Sequence, residues 1–165
     1  MKEHSMKKII LLLIGLNLTL IAGFEKVGDV ITDDISQLQW QDNSDAKAIK
    51  KNWFDALTYC EALSLGEEDD WRLPNIKELL SIADKNKNTP PAINSTFTNV
   101  AYTPENLSLY TVLYWSSTTP LETNYTDTAM TVNFNYGDEY YYDFFGNVAL
   151  KETNMNHVRC VRGGL

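Results

Sequence analysis

The chain has 165 residues, 44% of them hydrophobic, and a formal net charge of −8. That length suits one globular domain and is short for two. The acidic excess repels phosphate backbones and anionic membrane surfaces, and no basic stripe offsets it, which argues against nucleic acid as a partner.

The first eight residues carry three lysines and precede the apolar run "IILLLIGLNLTLIAG", residues 9–23. A charged start, a short apolar stretch and small residues at its end outline a secretory signal peptide, residues 1–23, with an uncleaved membrane anchor as the alternative. A spanning helix needs about 20 apolar residues, more than this run supplies. After cleavage no membrane association is expected. Cleavage removes three of the 14 basic and one of the 22 acidic side chains, so 11 face 21 and the mature domain, residues 24–165, carries −10. The expected location is secreted or periplasmic, in a bacterial cell envelope.

In the mature chain, "VITDDISQLQWQD" reads as a hairpin: Val30 and Ile31, a polar turn at Asp33 and Asp34, then Leu38 and Trp40 in alternation. From Asn52 the period changes. Trp53, Leu57, Cys60 and Leu63 fall on one helical face, with Asn52 as cap, Asp55 in the first turn and Gly66 as the residue that ends the helix. Asn75 and Glu78 form a capping-box pattern before Ile76, Leu79, Leu80 and Ile82, which predicts a second helix ending near Asp84. Residues 86–112, rich in Asn, Thr, Ser and Pro, read as a long irregular connector. The runs "LYWSSTT", "TAMTVNF", "YYYDFFGNVAL" and "NHVRCVRGG" supply four strands, with a hairpin turn at Gly137 and Asp138. Helices early and strands late make the class α+β.

Only Cys60 and Cys160 are present, an even pair in an exported chain, which favours a disulfide over two buried thiols. In the chain-entropy account such a bond contributes up to roughly 4.7 kcal/mol.

Residue inventory argues against catalysis. Beyond the leader, His157 is the only histidine, so a multi-histidine metal site is excluded, and no Gly-x-Ser-x-Gly elbow is present. No spacing singles out a carboxylate pair. Asp84, Asn86 and Asn88 alternate like a calcium loop but lack its central Gly and its final Glu, and read as a solvated turn. No cofactor is expected; calcium at Glu67, Glu68, Asp69 and Asp70 stays an open alternative to a solvated loop.

Trp71, Arg72, Leu73 and Pro74 are expected to fix the approach to the second helix, Trp71 in the core and Arg72 against a carboxylate or carbonyl. Trp115, Ser116 and Ser117 read as a buried strand with locally bonded hydroxyls. Arg159 and Arg162 flank Cys160 on opposite faces and cannot form one flat anion clamp. In residues 133–147, Tyr140, Tyr141 and Tyr142 are consecutive, so at least one ring faces solvent. Tyr136, Asp138, Glu139, Tyr140, Tyr141, Tyr142 and Asp143 form the candidate binding hairpin, its rings offering rigid contact area and its carboxylates accepting from hydroxyls. The bland alternative is a hairpin whose tyrosines cover a core edge.

"LQWQD", "ALTYCEAL", "DDWRLPNIKELLSI", "YWSSTT", "VNF" and "VRCVRGG" resemble, in this order, the motif set of the Lcl C-terminal domain family, a bacterial family named after the terminal domain of a collagen-like adhesin. The resemblance runs from about Asp33 to Gly164. It implies a C-type-lectin-like single domain, two helices packed on a small twisted antiparallel sheet with a long connector that carries recognition, and a disulfide from the first helix to the final strand. In the adhesin the domain is associated with sulfated polysaccharides. A charge of −10 departs from that, so a neutral glycan or a protein surface is the expected ligand. No Gly-X-Y stalk is present, and any oligomer would form without one. Two other classes stay in view: a self-assembling structural protein of the envelope, and an enzyme.

Overall fold

A computed structural model of the chain describes residues 23–87, 89–103, 112–121, 126–135 and 148–164. Among them, nine strands in two sheets and three short helices alternate in an α+β arrangement. The first sheet begins as an antiparallel meander of β1 (Phe24–Val27), β2 (Val30–Asp33) and β3 (Leu38–Gln41). The β2/β3 hairpin is the one expected; its turn is organised by Asp33, whose carboxylate accepts from the Ile35 N–H at 3.0 Å and the Ser36 hydroxyl at 2.6 Å. Gly28, at φ +59°, supplies the left-handed residue between β1 and β2.

A four-residue helix α1 (Asp45–Ala48) and β4 (Lys50–Lys51) precede α2 (Trp53–Glu61). Asn52 caps α2 by accepting from the Asp55 N–H at 2.8 Å. The helix stops at Ala62, four residues before the glycine expected to end it. Gly66 instead sits at φ +65° beside Glu67 at +66°, in a tight turn closed by Leu65 and Glu68. A Cβ on Gly66 would lie 2.9 Å from Val30 Cγ2, so the position requires glycine for space as well as for backbone. The second predicted helix is α3 (Ile76–Ser81), with both halves of the Asn75/Glu78 capping box formed.

The second sheet has the order β4-β8-β5-β6-β7, adding β5 (Tyr114–Trp115), β6 (Thr128–Val132), β7 (Val148–Leu150) and β8 (Asn156–His157). Two sheets and three helices correct the expectation of one antiparallel sheet with two helices, and β5 meets β8 in parallel. The cause lies in "NHVRCVRGG". This run was expected to be one strand, but Asn156–His157 pairs with β4 while β9 (Val161–Gly163) pairs with β3 in the other sheet. Between them the backbone leaves strand geometry, and the Arg159 and Cys160 side chains are both fully buried.

In its described residues the connector is irregular as expected, yet it is not a surface feature there: Ala92, Ile93, Phe97 and Val100 are buried. Ile93, Phe97 and Val100 join Trp40, Leu79, Ile82, Tyr114 and Phe134 in one core. A second core packs Ala56, Cys60, Trp71, Leu73, Trp115, Val158 and Cys160 together. The turn at Gly137 and Asp138 lies outside the described residues. No helix among those described is long and apolar enough to cross a membrane.

Candidate functional site

Two motifs that are far apart in sequence form one joint. Trp71, buried in the second core, donates its indole N–H to the carbonyls of Leu65 and Glu68 at 3.1 and 3.2 Å. Arg72 grips Glu78 with two bonds of 2.8 and 2.7 Å and reaches the Gly163 carbonyl at 3.3 Å, so it has both partner types expected of it. Burial alone would raise the Glu78 pKa, but the Arg72 guanidinium and the Asn75 N–H outweigh it and hold the carboxyl below its usual range. The Ser117 N–H then donates to the Pro74 carbonyl at 2.8 Å, and the Ile76 N–H to Thr118 Oγ1 at 3.0 Å. Trp115 is wholly buried and Ser116 Oγ donates to the Met130 carbonyl at 2.8 Å, while Ser117 lies beyond β5. These residues are architecture.

Arg159 and Arg162 separate completely. Arg159 is fully buried, its guanidinium placed 5.0 Å from the Phe97 ring and 5.8 Å from the Tyr114 ring. It pairs with Asp42 at 3.0 Å and donates to the Gln41 and Asn99 carbonyls. Asp42 also accepts from Lys26, from the Thr98 N–H and hydroxyl, each at 3.0 Å, and from the Asn99 N–H at 3.1 Å. Desolvation would raise its pKa; the Lys26 hydrogen bond and the Arg159 charge prevail and lower it. Nothing in the local sequence marks Asp42 or Asn99 as a partner of Arg159, or Lys26 as a partner of Asp42. Arg162, on β9, is at the surface, paired with Asp70, with Glu68 at 3.0 Å and with Gln39. Two of the four acids weighed as a calcium site are therefore already neutralised by an arginine. In the other calcium-like stretch, Asp84 Oδ1 accepts from the Asn86 N–H at 3.1 Å, and Asn88 lies outside the described residues. No group of three or more His, Cys, Asp or Glu among the described residues is placed to hold a metal ion.

Cys60 and Cys160 are bonded, with Cα atoms 5.5 Å apart. Cys60 stands in the last turn of α2, and Cys160 immediately precedes β9. His157 is buried against Tyr114, ring centroids 5.3 Å apart, and its Nδ1 has no partner among the described residues. Burial and the Lys50 charge lower its pKa to about 4, against a smaller upward pull from a Lys47 backbone hydrogen bond. A neutral, enclosed imidazole is poorly placed for proton transfer to an external molecule.

At the opposite extreme of satisfaction is a cleft of about 260 Å³ lined by Phe54, Thr126, Asp127, Leu150, Lys151, Glu152 and Thr153. The start of α2 and the turn after β7 build it: the Trp53 N–H donates to the Lys151 carbonyl and the Lys151 N–H to the Asp127 carbonyl, both at 2.9 Å. The Lys151 ammonium lies 4.6 Å above the Trp53 ring and donates to Thr119 Oγ1 and the Thr126 carbonyl. Phe54, edge-on to Trp53 at 5.2 Å, is 50% exposed and Leu150 45%. The carboxylates of Asp127 and Glu152 are exposed and have no partner among the described residues. This cleft was not read from the sequence; its residues come from three separate stretches, the start of a helix and two surface segments, and none carries a local binding pattern.

The candidate binding residues Tyr136, Asp138, Glu139, Tyr140, Tyr141, Tyr142 and Asp143 lie outside the described residues. The described chain ends before them at Asn135, which is buried and accepts from the Thr103 N–H at 2.9 Å. Thr103 is in turn the last described residue before position 112.

A family model described as the Lcl C-terminal domain matches residues 29–162, most of the chain. No curated protein and no solved structure matches it.

Proposed function

The chain belongs to the Lcl C-terminal domain family, and on that premise we propose that it is an exported, non-catalytic ligand-binding or adhesion domain that takes a carbohydrate or a protein surface at its rim. The observation that carries this reading is the division between charges that are paired within the fold and rim carboxylates that are not. Asp42 is paired with Arg159 in the interior and Glu78 with Arg72 at the entry to α3, whereas the carboxylates of Asp127 and Glu152, beside Phe54 and Leu150 in an open cleft, have no partner among the described residues. An aromatic face beside idle carboxylates suits a sugar ring, whose C–H face stacks and whose hydroxyls donate; it suits equally a protein side chain with an apolar stem. The Tyr136 to Asp143 stretch, with the same chemistry, is assigned to the same role.

Export is supported by the Cys60–Cys160 bond, which suits an oxidising compartment. The C-type-lectin-like reading is supported by the covalent link between a helix and the final strand region and by the first and last strands sharing one sheet. The absence of catalysis is supported by the enclosure of the sole mature-chain histidine.

A glycan array probed with the mature domain tests the reading. Signal on neutral glycans that falls in Phe54→Ala or in Tyr140→Ala is the expected outcome; no signal for any glycan, together with no capture of a protein from envelope extracts, contradicts it. A second reading, a self-assembling envelope component, draws on Val148 and Leu150, exposed on a strand at the end of the described sheet. Light scattering at high concentration separates the two, since a strict monomer leaves no room for assembly.

A further inference from the structure

Gly23 extends the first sheet by one residue beyond β1. Its N–H donates to Oδ1 of Asp34 and its carbonyl accepts from the Asp34 N–H at 3.1 Å, continuing the register in which Phe24 faces Asp33. The two adjacent acids have different tasks. Asp33 spends both carboxylate oxygens on its own turn, on the Ile35 N–H and the Ser36 hydroxyl. The Asp34 carboxylate has a single partner among the described residues, the nitrogen of Gly23, and its second oxygen is idle.

We infer that Asp34 is the receptor for the amino terminus of the mature domain, created by cleavage of the leader between Ala22 and Gly23, one residue earlier than the boundary read from the sequence. The inference rests on the export reading above. An amide nitrogen has one hydrogen to give, whereas an α-ammonium has three and a full charge, which suits a carboxylate with an oxygen to spare. Ala22 supplies the small residue that a leader peptidase requires on the acyl side of its cut. In that cut water breaks the C–N bond of the Ala22–Gly23 amide. The carboxylate stays on Ala22, and the amine, taking up a proton at neutral pH, stays on Gly23. A cut one residue later removes both bonds to Asp34. It also places the charge on Phe24, whose ring packs 5.5 Å from Phe97 against the first core.

Intact mass spectrometry of the protein recovered from the periplasm or medium of a bacterium expressing the full chain reads the cut directly. Gly23 as the first residue is expected. Any other new terminus overturns the inference while leaving export intact, and a product that keeps its leader overturns both. A second readout addresses Asp34 itself. With an amine-acetylating reagent at pH 7, the Gly23 amine of the native protein is expected to react about tenfold more slowly than that of Asp34→Asn, the effect of one unit of pKa; equal rates overturn the receptor role.

Discussion

The two hydrophobic cores are closed by different chemistry. One contains a covalent tie, Cys60 to Cys160; the other packs around an ion pair, Asp42 with Arg159, whose guanidinium lies against Phe97 and Tyr114. The two ties diverge from consecutive residues: Arg159 reaches Asp42, just beyond β3, and Cys160 reaches Cys60 on α2, while Gln41 at the end of β3 bonds the Cys160 backbone in both directions at 3.0 Å. A disulfide is indifferent to pH and fails to reductants, whereas a buried ion pair is indifferent to reductants and fails when one partner is lost. The fold therefore has two independent points of failure at one seam.

Removing half of the ionic tie should do the greater damage. Asp42→Ala leaves the Arg159 charge buried and also strips acceptors from Lys26, Thr98 and Asn99. The expected loss is about 3–5 kcal/mol in urea unfolding. Arg159→Met with Asp42→Leu should recover much of it, because an apolar pair carries no desolvation cost. Cutting the covalent tie with Cys60→Ala and Cys160→Ala should cost about 2–4 kcal/mol, measured under non-reducing conditions, and dithiothreitol should then have no further effect.

Acid probes the seam in a third way. His157 has a folded pKa of about 4 against an ordinary 6.5, so the unfolded chain binds its proton first as pH falls. The stability that this group contributes is complete above pH 6.5 and declines toward pH 4, by at most about 3 kcal/mol. The paired carboxylates Asp42 and Glu78, with pKa values lowered from 3.8 and 4.5, keep their full contribution only above about pH 5 and lose it below. Unfolding free energy measured from pH 7 to 5 should therefore slope in the wild type and flatten in His157→Gln. Smallest is the helix cap: Asn75→Ala should cost about 1 kcal/mol.

How much of this was legible in sequence follows the range of the interaction. The Asn75/Glu78 box, the Asn52 cap and the β2/β3 hairpin depend on residues three to eleven apart, and each leaves a pattern in one window. The disulfide joins residues 100 apart, yet two cysteines allow only one pairing. Asp42 and Arg159 are 117 apart, with many alternative acids, and no local pattern distinguishes the correct one. Gly66 misled because a glycine near a helix end is a common terminator; here a close approach to Val30 sets its position. The division of "NHVRCVRGG" between two sheets was hidden because its alternation continues through the residues that leave the strand.

The cleft behaves oppositely to the seam. Phe54→Ala, Asp127→Asn and Glu152→Gln remove half-exposed or exposed groups outside the buried ties, and surface changes of this kind typically fall within about 0.5 kcal/mol of wild type. Loss of binding with retained stability is thus the signature of a rim site.

The most direct test is amide chemical-shift mapping of the isotopically labelled mature domain, titrated with the strongest binder from the glycan array or envelope capture. Saturable shifts at Phe54, Thr126, Asp127 and residues 150–153, or across residues 136–143, with Asp42, Cys60 and Arg159 unmoved, are the result predicted. Shifts centred on Asp42, His157 or Arg159, with the rim silent, would contradict a closed interior that supports a binding edge.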